Sequence, residues 1–191
     1  MAESNIPLTS EQTRRKSDET KILSAARQDP RVFGDLYRLY VDQVFRYLYS
    51  RLGNVHEAED VTAQTFLAAF EAFGRFREDR HFAPWLFTIA RNKAMDHFRQ
   101  QKKAASIDEA DQAAVENDPL SSVIESEQSA TLAKLIQALP DEERELLRLR
   151  YLAGLTFPEI AHFLHRNEEA VKKSIYRLLA RLQSQVETSH E

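Results

Sequence analysis

Apolar residues recur at steps of three and four through most of the chain, and this helical period constrains the fold more than any other feature. The segment that ends at Gly53 shows it clearly. Its apolar positions are Val32, Phe33, Leu36, Tyr37, Tyr40, Val41, Val44, Phe45, Leu48 and Leu52. No segment alternates as a half-buried strand does, and only 4 of the 191 residues are Gly. The sequence therefore predicts an all-α protein.

The predicted helices form two groups with an acidic stretch between them. The first group has a helix from near Asp18 or Glu19, one from Pro30 to Gly53, one that Gly74 ends, and a long one from about Pro84 to Lys103. The second group has four short helices. Residues 104–128 contain seven acidic residues and no Lys or Arg, which is typical of a flexible, solvated linker.

Two small helical domains joined by this linker are therefore predicted. Polar tails are expected at both ends of the chain, and the first is expected to be disordered. The boundaries are a tail over 1–20, a first domain over 21–103, the linker over 104–128, a second domain over 129–185, and a tail over 186–191.

Composition excludes several classes of protein. The absence of Cys rules out disulfides and thiolate metal sites. No apolar run approaches the roughly 20 residues of a membrane span, and the polar N-terminus does not look like a signal peptide, so we expect a cytoplasmic protein. His162 and His165 are expected to be surface residues rather than a metal site. No nucleophile constellation or phosphate loop stands out, so neither an enzyme nor a bound cofactor is expected.

The last predicted helix has an apolar side and a basic side. Val171, Ile175, Leu178 and Leu182 are spaced by four, three and four, so they share one buried stripe. A second stripe consists of Lys173, Arg177 and Arg181, which Lys172 and Tyr176 flank. On the stripe alone, an amphipathic helix with a solvated basic face is the better interpretation. The preceding "GLTFPEIAHFLHRN" supplies a capped helix and a turn, so the pair predicts a helix-turn-helix whose second helix enters a major groove.

The long helix "PWLFTIARNKAMDHFRQQKK" also has two faces. Leu86, Phe87, Ala90, Ala94 and Phe98 are predicted to be its apolar face. The opposite face is mixed and consists of Trp85, Asn92, Asp96, Arg99 and Lys103, with Arg91 and Lys102 at its boundary. Such a face offers both donors and acceptors to bases. An ordinary solvated face is the alternative, and for Trp85 packing on a neighbouring helix is slightly favoured over base stacking.

Four stretches together resemble the bacterial sigma factors of the extracytoplasmic-function group, which are promoter-recognition subunits of RNA polymerase. The stretches are "FGDLYRLYVDQVFRYLYSRLGNVHEAEDVTAQTFLAAF", "FAPWLFTIARNKAMDHFRQQKK", "ALPDEERELLRLRYLAGLTFPEIAHFL" and "EEAVKKSIYRLLARL". Each is moderately specific, and the four in this order are highly specific. The resemblance covers about residues 21–103 and 128–184.

The resemblance implies three binding surfaces, toward core RNA polymerase and promoter DNA. The polymerase-binding residues would be Asp60, Val61, Gln64 and Phe66. The melted minus-ten element would contact Arg91, Asn92, Asp96, Arg99 and Lys103. The duplex minus-thirty-five element would contact Lys172, Lys173, Tyr176, Arg177 and Arg181. The acidic linker would thread the polymerase interior as a nucleic-acid mimic or act as a solvated spacer, and the two interpretations have equal weight. An anti-sigma factor is a further partner of many family members, and the sequence leaves open whether this chain has one.

Two departures from the family pattern affect the second domain. His165 stands in the turn where the family often has Gly, and a left-handed backbone is less comfortable for His. Glu168 and Glu169 suit the start of a helix but repel phosphate, unless one accepts from a cytosine amino group. Two other functions stay open: a stand-alone helix-turn-helix regulator, and a sigma-like decoy that binds an anti-sigma factor.

Overall fold

The computed structural model describes residues 10–76, 81–105 and 127–188, and these residues form eight α-helices and no strand. The all-α prediction is confirmed. The α-helices are α1 (Ser10–Gln28), α2 (Phe33–Leu52), α3 (Val55–Phe73), α4 (Phe82–Ala105), α5 (Glu127–Gln137), α6 (Asp141–Leu147), α7 (Phe157–Leu164) and α8 (Glu168–Thr188). A 3₁₀ turn at Pro30–Val32 precedes α2, and a π-helical turn at Arg148–Leu152 follows α6.

Helix α1 begins earlier than the sequence pattern predicts. It starts at Ser10 rather than near Asp18, so it includes half of the stretch expected to be a disordered tail. Its first residues lack a helical apolar period, so the sequence pattern does not indicate a helix there. Glu, Gln, Lys and Arg nevertheless have good intrinsic helix propensity. Residues 1–9 and 189–191 lie outside the described residues.

The predicted linker falls mostly outside the described residues. Helix α4 continues to Ala105 and α5 begins at Glu127. Only the two ends of the predicted linker, at 104–105 and 127–128, are therefore helical. The interpretation of 106–126 as a linker stays a prediction.

The chain divides into two compact units, Met1–Asp42 and Gln43–Glu191, with the boundary inside α2. In the first unit the side chain of Asp29 accepts from the N–H of Arg31 at 2.9 Å and caps the 3₁₀ turn that Pro30 opens. The Tyr40 hydroxyl donates to Glu19 of α1. Among the residues of this unit whose burial the structure describes, the buried apolar ones are Ala26, Phe33, Leu36 and Tyr40.

An aromatic cluster joins α3 to α4 in the second unit. Phe82 is fully buried, and its ring meets Phe73 and Phe76 edge-on, with centroids 6.3 and 5.5 Å away. The Trp85 ring lies 4.9 Å from that of Phe76. Trp85 therefore packs on its neighbours, which is the alternative favoured over base stacking.

The helices of the C-terminal part share an aliphatic core. The four buried residues at its centre are Leu139, Leu147, Leu178 and Leu182, and half-buried Leu132, Leu135, Ile136 and Leu179 pack against them. Helix α5 and helix α6 both contact α8, while α7 contacts both α8 and α4. This packing fixes the side of α8 that faces the protein, and with it the side that faces solvent.

Four aromatic residues at positions where a helical apolar period favours burial are exposed in the structure. Tyr37 of α2 is 43% exposed, Phe70 of α3 is 49% exposed, Phe98 of α4 is 36% exposed, and Tyr151 is 54% exposed. For Tyr151 the reason is the π-helical turn, in which the N–H of Ala153 donates to the Arg148 carbonyl at 2.9 Å. One extra residue in a turn rotates the following side chains away from the face that an α-helical period gives them.

Candidate nucleic-acid interface

A capping box fixes the start of α7. Glu159 is buried, and one oxygen of its carboxylate accepts from the Thr156 N–H at 2.8 Å and from the Thr156 hydroxyl at 2.6 Å. The cap that the sequence predicts for this helix is therefore present, in the form of a capping box. Pro158 lies in the first turn, where its missing N–H costs nothing. The start of α7 is thus fixed by contacts within its own first turn.

The turn between α7 and α8 passes through a left-handed residue. His165 has φ 52° and ψ 43°, and it is the only non-Gly residue with positive φ in the described part of the chain. The next N–H, of Arg166, donates to the Ala161 carbonyl at 2.9 Å, which satisfies one of the last carbonyls of α7. Asn167 then accepts from the Glu169 N–H at 2.8 Å and caps α8.

Helix α8 has the two faces that its sequence predicts. Val171, Ile175, Leu178 and Leu182 are all at most 5% exposed. Lys173 and Arg177 are exposed on the other side, and Lys172 and Tyr176 are half-buried at its edges. We call Lys172, Lys173, Tyr176 and Arg177 the recognition face. Three cations and an amphipathic aromatic ring on one part of the helix suit contact with phosphates and base edges.

Two residues that the resemblance assigns to the minus-thirty-five site, Tyr176 and Arg181, contact other side chains of the protein. The centre of the Tyr176 ring lies 5.9 Å from that of the Phe157 ring. The Arg150 guanidinium lies over the Phe157 ring, 4.6 Å from its centre. Arg181, which the sequence assigns to the minus-thirty-five site, forms an ion pair with Glu143 of α6. Because that contact anchors Arg181 toward α6, the recognition face lies in the first half of α8.

The mixed face of α4 is exposed beyond Trp85. Arg91, Asn92, Asp96, Arg99 and Lys103 are all exposed, while Leu86, Phe87, Ala90 and Ala94 are fully buried. Asp96 and Arg99 pair at 3.1 Å, one turn apart. The Arg91 guanidinium lies 5.7 Å from the centre of the Phe163 ring of α7. The predicted minus-ten residues thus share a surface, and one of them contacts the second helical group.

The predicted polymerase-binding residues of α3 lie on two different faces. Asp60 and Gln64 are exposed, but Val61 and Phe66 are buried at 0% and 5% exposure and belong to the core. Leu67 is 60% exposed, which the sequence analysis missed. Asp60, Gln64, Leu67 and Glu71 follow one another at steps of four, three and four. These four residues form an exposed stripe along α3, which we call the α3 stripe.

Sequence reasoning also missed a buried polar network centred on Glu145 of α6. One carboxylate oxygen accepts from the Tyr47 hydroxyl at 2.7 Å, and the other accepts from the guanidinium of Arg51. Burial, with the adjacent carboxylate, raises the pKa of Tyr47 far above its usual value, so the phenol stays a donor. Burial works against the charge of Arg51, but Tyr47 and Glu145 more than offset it and leave its pKa raised. In the sequence Glu145 looks like an ordinary acid in an acidic helix start.

Two observations bear on other classes of protein. In the ranges that the structure describes, no helix combines the length and hydropathy that crossing a membrane requires. Within the same ranges no group of three or more His, Asp or Glu side chains is placed to hold a metal ion. His162 and His165 are both exposed, and the His162 ring contacts that of His81 at 6.1 Å.

A capped helix, a tight turn and a helix with an exposed basic face together define a helix-turn-helix DNA-binding protein. Comparison with known proteins identifies a narrower class among the helix-turn-helix proteins. The model of Sigma-70 region 2 matches residues 36–104, and that of Sigma-70 region 4 matches residues 129–182. The first covers α3, α4 and most of α2, and the second covers most of α5 and α8 and everything between them.

Curated relatives and solved structures point the same way. The ECF RNA polymerase sigma factor BldN of Streptomyces coelicolor is 39% identical over 154 residues, which are 78% of this chain and 58% of BldN. The ECF RNA polymerase sigma factor SigW of Bacillus subtilis is 31% identical over 169 residues, covering 82% of this chain and 90% of SigW. The structure of CnrH in complex with the cytosolic domain of CnrY matches with a TM-score of 0.61 at 25% identity, over 87% of this chain and 96% of that one. The chain belongs to the extracytoplasmic-function group of RNA polymerase sigma factors.

Proposed function

We propose that the chain binds core RNA polymerase and directs it to promoters that carry a minus-ten and a minus-thirty-five element. The observation that carries this is the pairing of two separate nucleic-acid surfaces. Helix α4 presents a mixed polar face that suits unpaired bases, and α8 presents a basic recognition face on a helix-turn-helix that suits duplex DNA. A regulator that binds only duplex DNA does not need the mixed face of α4.

The α3 stripe is the proposed polymerase-docking surface. It combines two acids, an amide and a leucine that is 60% exposed. A leucine at the centre of a polar rim is the usual composition of a specific protein interface. Its acids suit a basic partner surface, and Leu67 supplies the desolvated contact. Val61 and Phe66 support the stripe from the core instead of touching the partner.

The test is an equilibrium titration of the labelled chain with core polymerase. Leu67→Ala should weaken binding about tenfold, because an exposed leucine that becomes buried on binding contributes on the order of 1–2 kcal/mol. Val55→Ala, which truncates another exposed apolar residue of α3, is the matched control and should bind like the unchanged chain. If the folded chain does not bind core polymerase, the proposed function is refuted.

Promoter use separates the sigma factor from a decoy. The holoenzyme should initiate from a template that carries both elements, and changing Asn92 and Arg99 together to Ala should reduce open-complex formation without reducing binding to core polymerase. Permanganate reactivity of unpaired thymines at the minus-ten element measures the open complex. A folded chain that melts no template but binds an anti-sigma factor would be the decoy.

A further inference from the structure

The inward-facing side of α4 changes from apolar to polar along the helix. Ala94 is fully buried, whereas from 95 to 103 every residue except His97 is exposed. Helices in proteins owe most of their stability to the packing of an apolar face rather than to intrinsic propensity. The half of α4 that carries Arg99 and Lys103 therefore has little buried apolar surface to hold it against the protein.

Glu57, in the first turn of α3, contacts the polar part of this side. The Nε2 atom of His97 lies 3.0 Å from one oxygen of the Glu57 carboxylate, which suits an N–H that donates to it. The side-chain amide of Gln101 donates to the other oxygen at 2.9 Å. Because His97 and Gln101 are four residues apart, one carboxylate connects two successive turns of α4 to α3. The side chains of His97 and Glu57 are only 23% and 30% exposed, so water competes with these contacts in part.

The turn that carries Glu57 is itself fixed. The side chain of Asn54 accepts from the Glu57 N–H at 3.1 Å and caps α3. The Asn54 carbonyl accepts from the Ala58 N–H at 3.0 Å. A carboxylate in the first turn of a helix is also favoured by the helix dipole. The Glu57 carboxylate is therefore a well-defined point of attachment for α4.

These contacts lie beside the residues assigned to the minus-ten element. Arg99 lies between His97 and Gln101 along the chain, and its side chain is exposed. The α3 stripe begins at Asp60, less than one turn after Glu57. Bending or fraying of the last turns of α4 would therefore move Arg99 relative to the surface proposed for polymerase docking.

We propose that Glu57 is a positioning residue for the minus-ten site, because it holds Arg99 and Lys103 in one arrangement relative to the α3 stripe. The inference rests on the proposed function, since it concerns the minus-ten strand and the polymerase. The sign of its effect distinguishes positioning from charge. A carboxylate repels DNA phosphates, so removing Glu57 would tighten binding if its charge were all that mattered. Loss of positioning should instead weaken binding.

Hydrogen exchange of the free chain tests whether Glu57 holds the end of α4. Glu57→Ala should speed exchange of the amides of 97–101 about tenfold, because loss of two hydrogen bonds makes local opening easier. The matched control is Glu59→Ala, which removes an exposed acid of the same turn that pairs with His56, and it should leave these amides unchanged. Unchanged exchange in α8 shows that each variant is folded. A folded Glu57→Ala variant that exchanges like the control would overturn the proposal.

Binding of a single-stranded minus-ten oligonucleotide by the holoenzyme tests the consequence for promoter recognition. Glu57→Ala should weaken this binding about fivefold, as expected if α4 keeps the competent arrangement for about a fifth of the time. Affinity for core polymerase should not change, which separates positioning from loss of docking. Glu57→Gln keeps an oxygen that accepts a hydrogen bond, and it should recover most of the loss. Oligonucleotide binding by Glu57→Ala that equals or exceeds that of the unchanged chain would overturn the proposal.

A double-mutant cycle on the same binding tests whether His97 acts through Glu57. Glu57→Ala and His97→Ala break one contact between them, so their losses should not add. Additive losses would overturn the proposal, because His97 would then act on the DNA without Glu57. If the holoenzyme of the unchanged chain does not bind the oligonucleotide, the proposed function fails. The exchange measurement on the free chain still decides whether Glu57 holds the end of α4.

Discussion

At the scale of single residues, His165 shows how strain is placed beside the DNA-binding helix. A left-handed backbone favours Gly because an L side chain crowds the carbonyl there, and His tolerates it better than most residues. The turn is nevertheless required, since the Arg166 N–H closes α7 only if the chain reverses at that point. Because the family often has Gly at this position, we expect a left-handed backbone to be unfavourable for His165. The structure shows that His165 does adopt this backbone conformation.

His165→Gly should therefore stabilise the protein relative to His165→Ala. Both variants remove the imidazole, but only Gly adopts a positive φ without steric strain. The free energy of unfolding of the Gly variant should therefore be about 1 kcal/mol higher than that of the Ala variant. Urea unfolding followed by circular dichroism measures the difference. Equal stabilities would show that the backbone at 165 is not under strain.

The residue scale also shows where sequence patterns fail. The apolar stripe of α8 was predictable because four residues at steps of four and three point to one side whatever surrounds them. Val61 and Phe66 were assigned to a binding surface by resemblance, yet burial makes them core residues. A family motif records which positions matter, and it does not tell a contact from the packing that supports it.

At the scale of helices, α8 is a recognition helix because three other helices hold it. The capping box of α7, the turn at His165 and the Asn167 cap leave little freedom in its orientation. Packing on α5 and α6 then points Lys173 and Arg177 outward. All these caps were readable from the sequence, since they depend on residues close together in the chain. The π-helical turn after α6 could not be predicted from the sequence, because no local rule distinguishes it from an α-helical turn.

Substitution of Lys173 and Arg177 by Ala should change the salt dependence of DNA binding. Each lost phosphate contact should reduce the slope of log K against log salt by about 0.9, so the double variant should lose nearly two. Holoenzyme binding to a fragment that contains only the upstream duplex element measures this slope. Lys134→Ala, an exposed base on α5, is the control and should leave the slope unchanged, whereas an unchanged slope in the double variant would place the DNA elsewhere.

At the scale of the whole molecule, the packing of α4 on α7 and of α2 on α6 could not be predicted. The residues that carry it are separated by up to 98 positions, and each looks ordinary in its own helix. The sequence predicts two helical domains joined by a linker, and it does not predict whether they contact each other. Only the folded chain shows that Glu145 meets two donors and that Arg91 meets an aromatic ring.

A double-mutant cycle should detect this long-range coupling. Tyr47→Phe removes the donor of this hydrogen bond, and Glu145→Gln weakens the bond by removing the charge of the acceptor. Their effects on the free energy of unfolding should therefore not add, with a coupling of about 1 kcal/mol. Chemical unfolding of the four proteins gives the coupling. Tyr47→Phe combined with Glu142→Gln should be additive. A coupling near zero for the first pair would mean that the two residues do not interact in solution.

The most direct test of the sigma-factor assignment is transcription by the reconstituted holoenzyme on fragmented genomic DNA, with the 5′ ends of the transcripts sequenced. The account predicts initiation at a limited set of sites that share two spaced elements. Changing Lys172, Lys173 and Arg177 to Ala should make initiation independent of the upstream element, while initiation still depends on the downstream element. Transcripts with no shared elements, or none above the level of core polymerase by itself, would contradict the account.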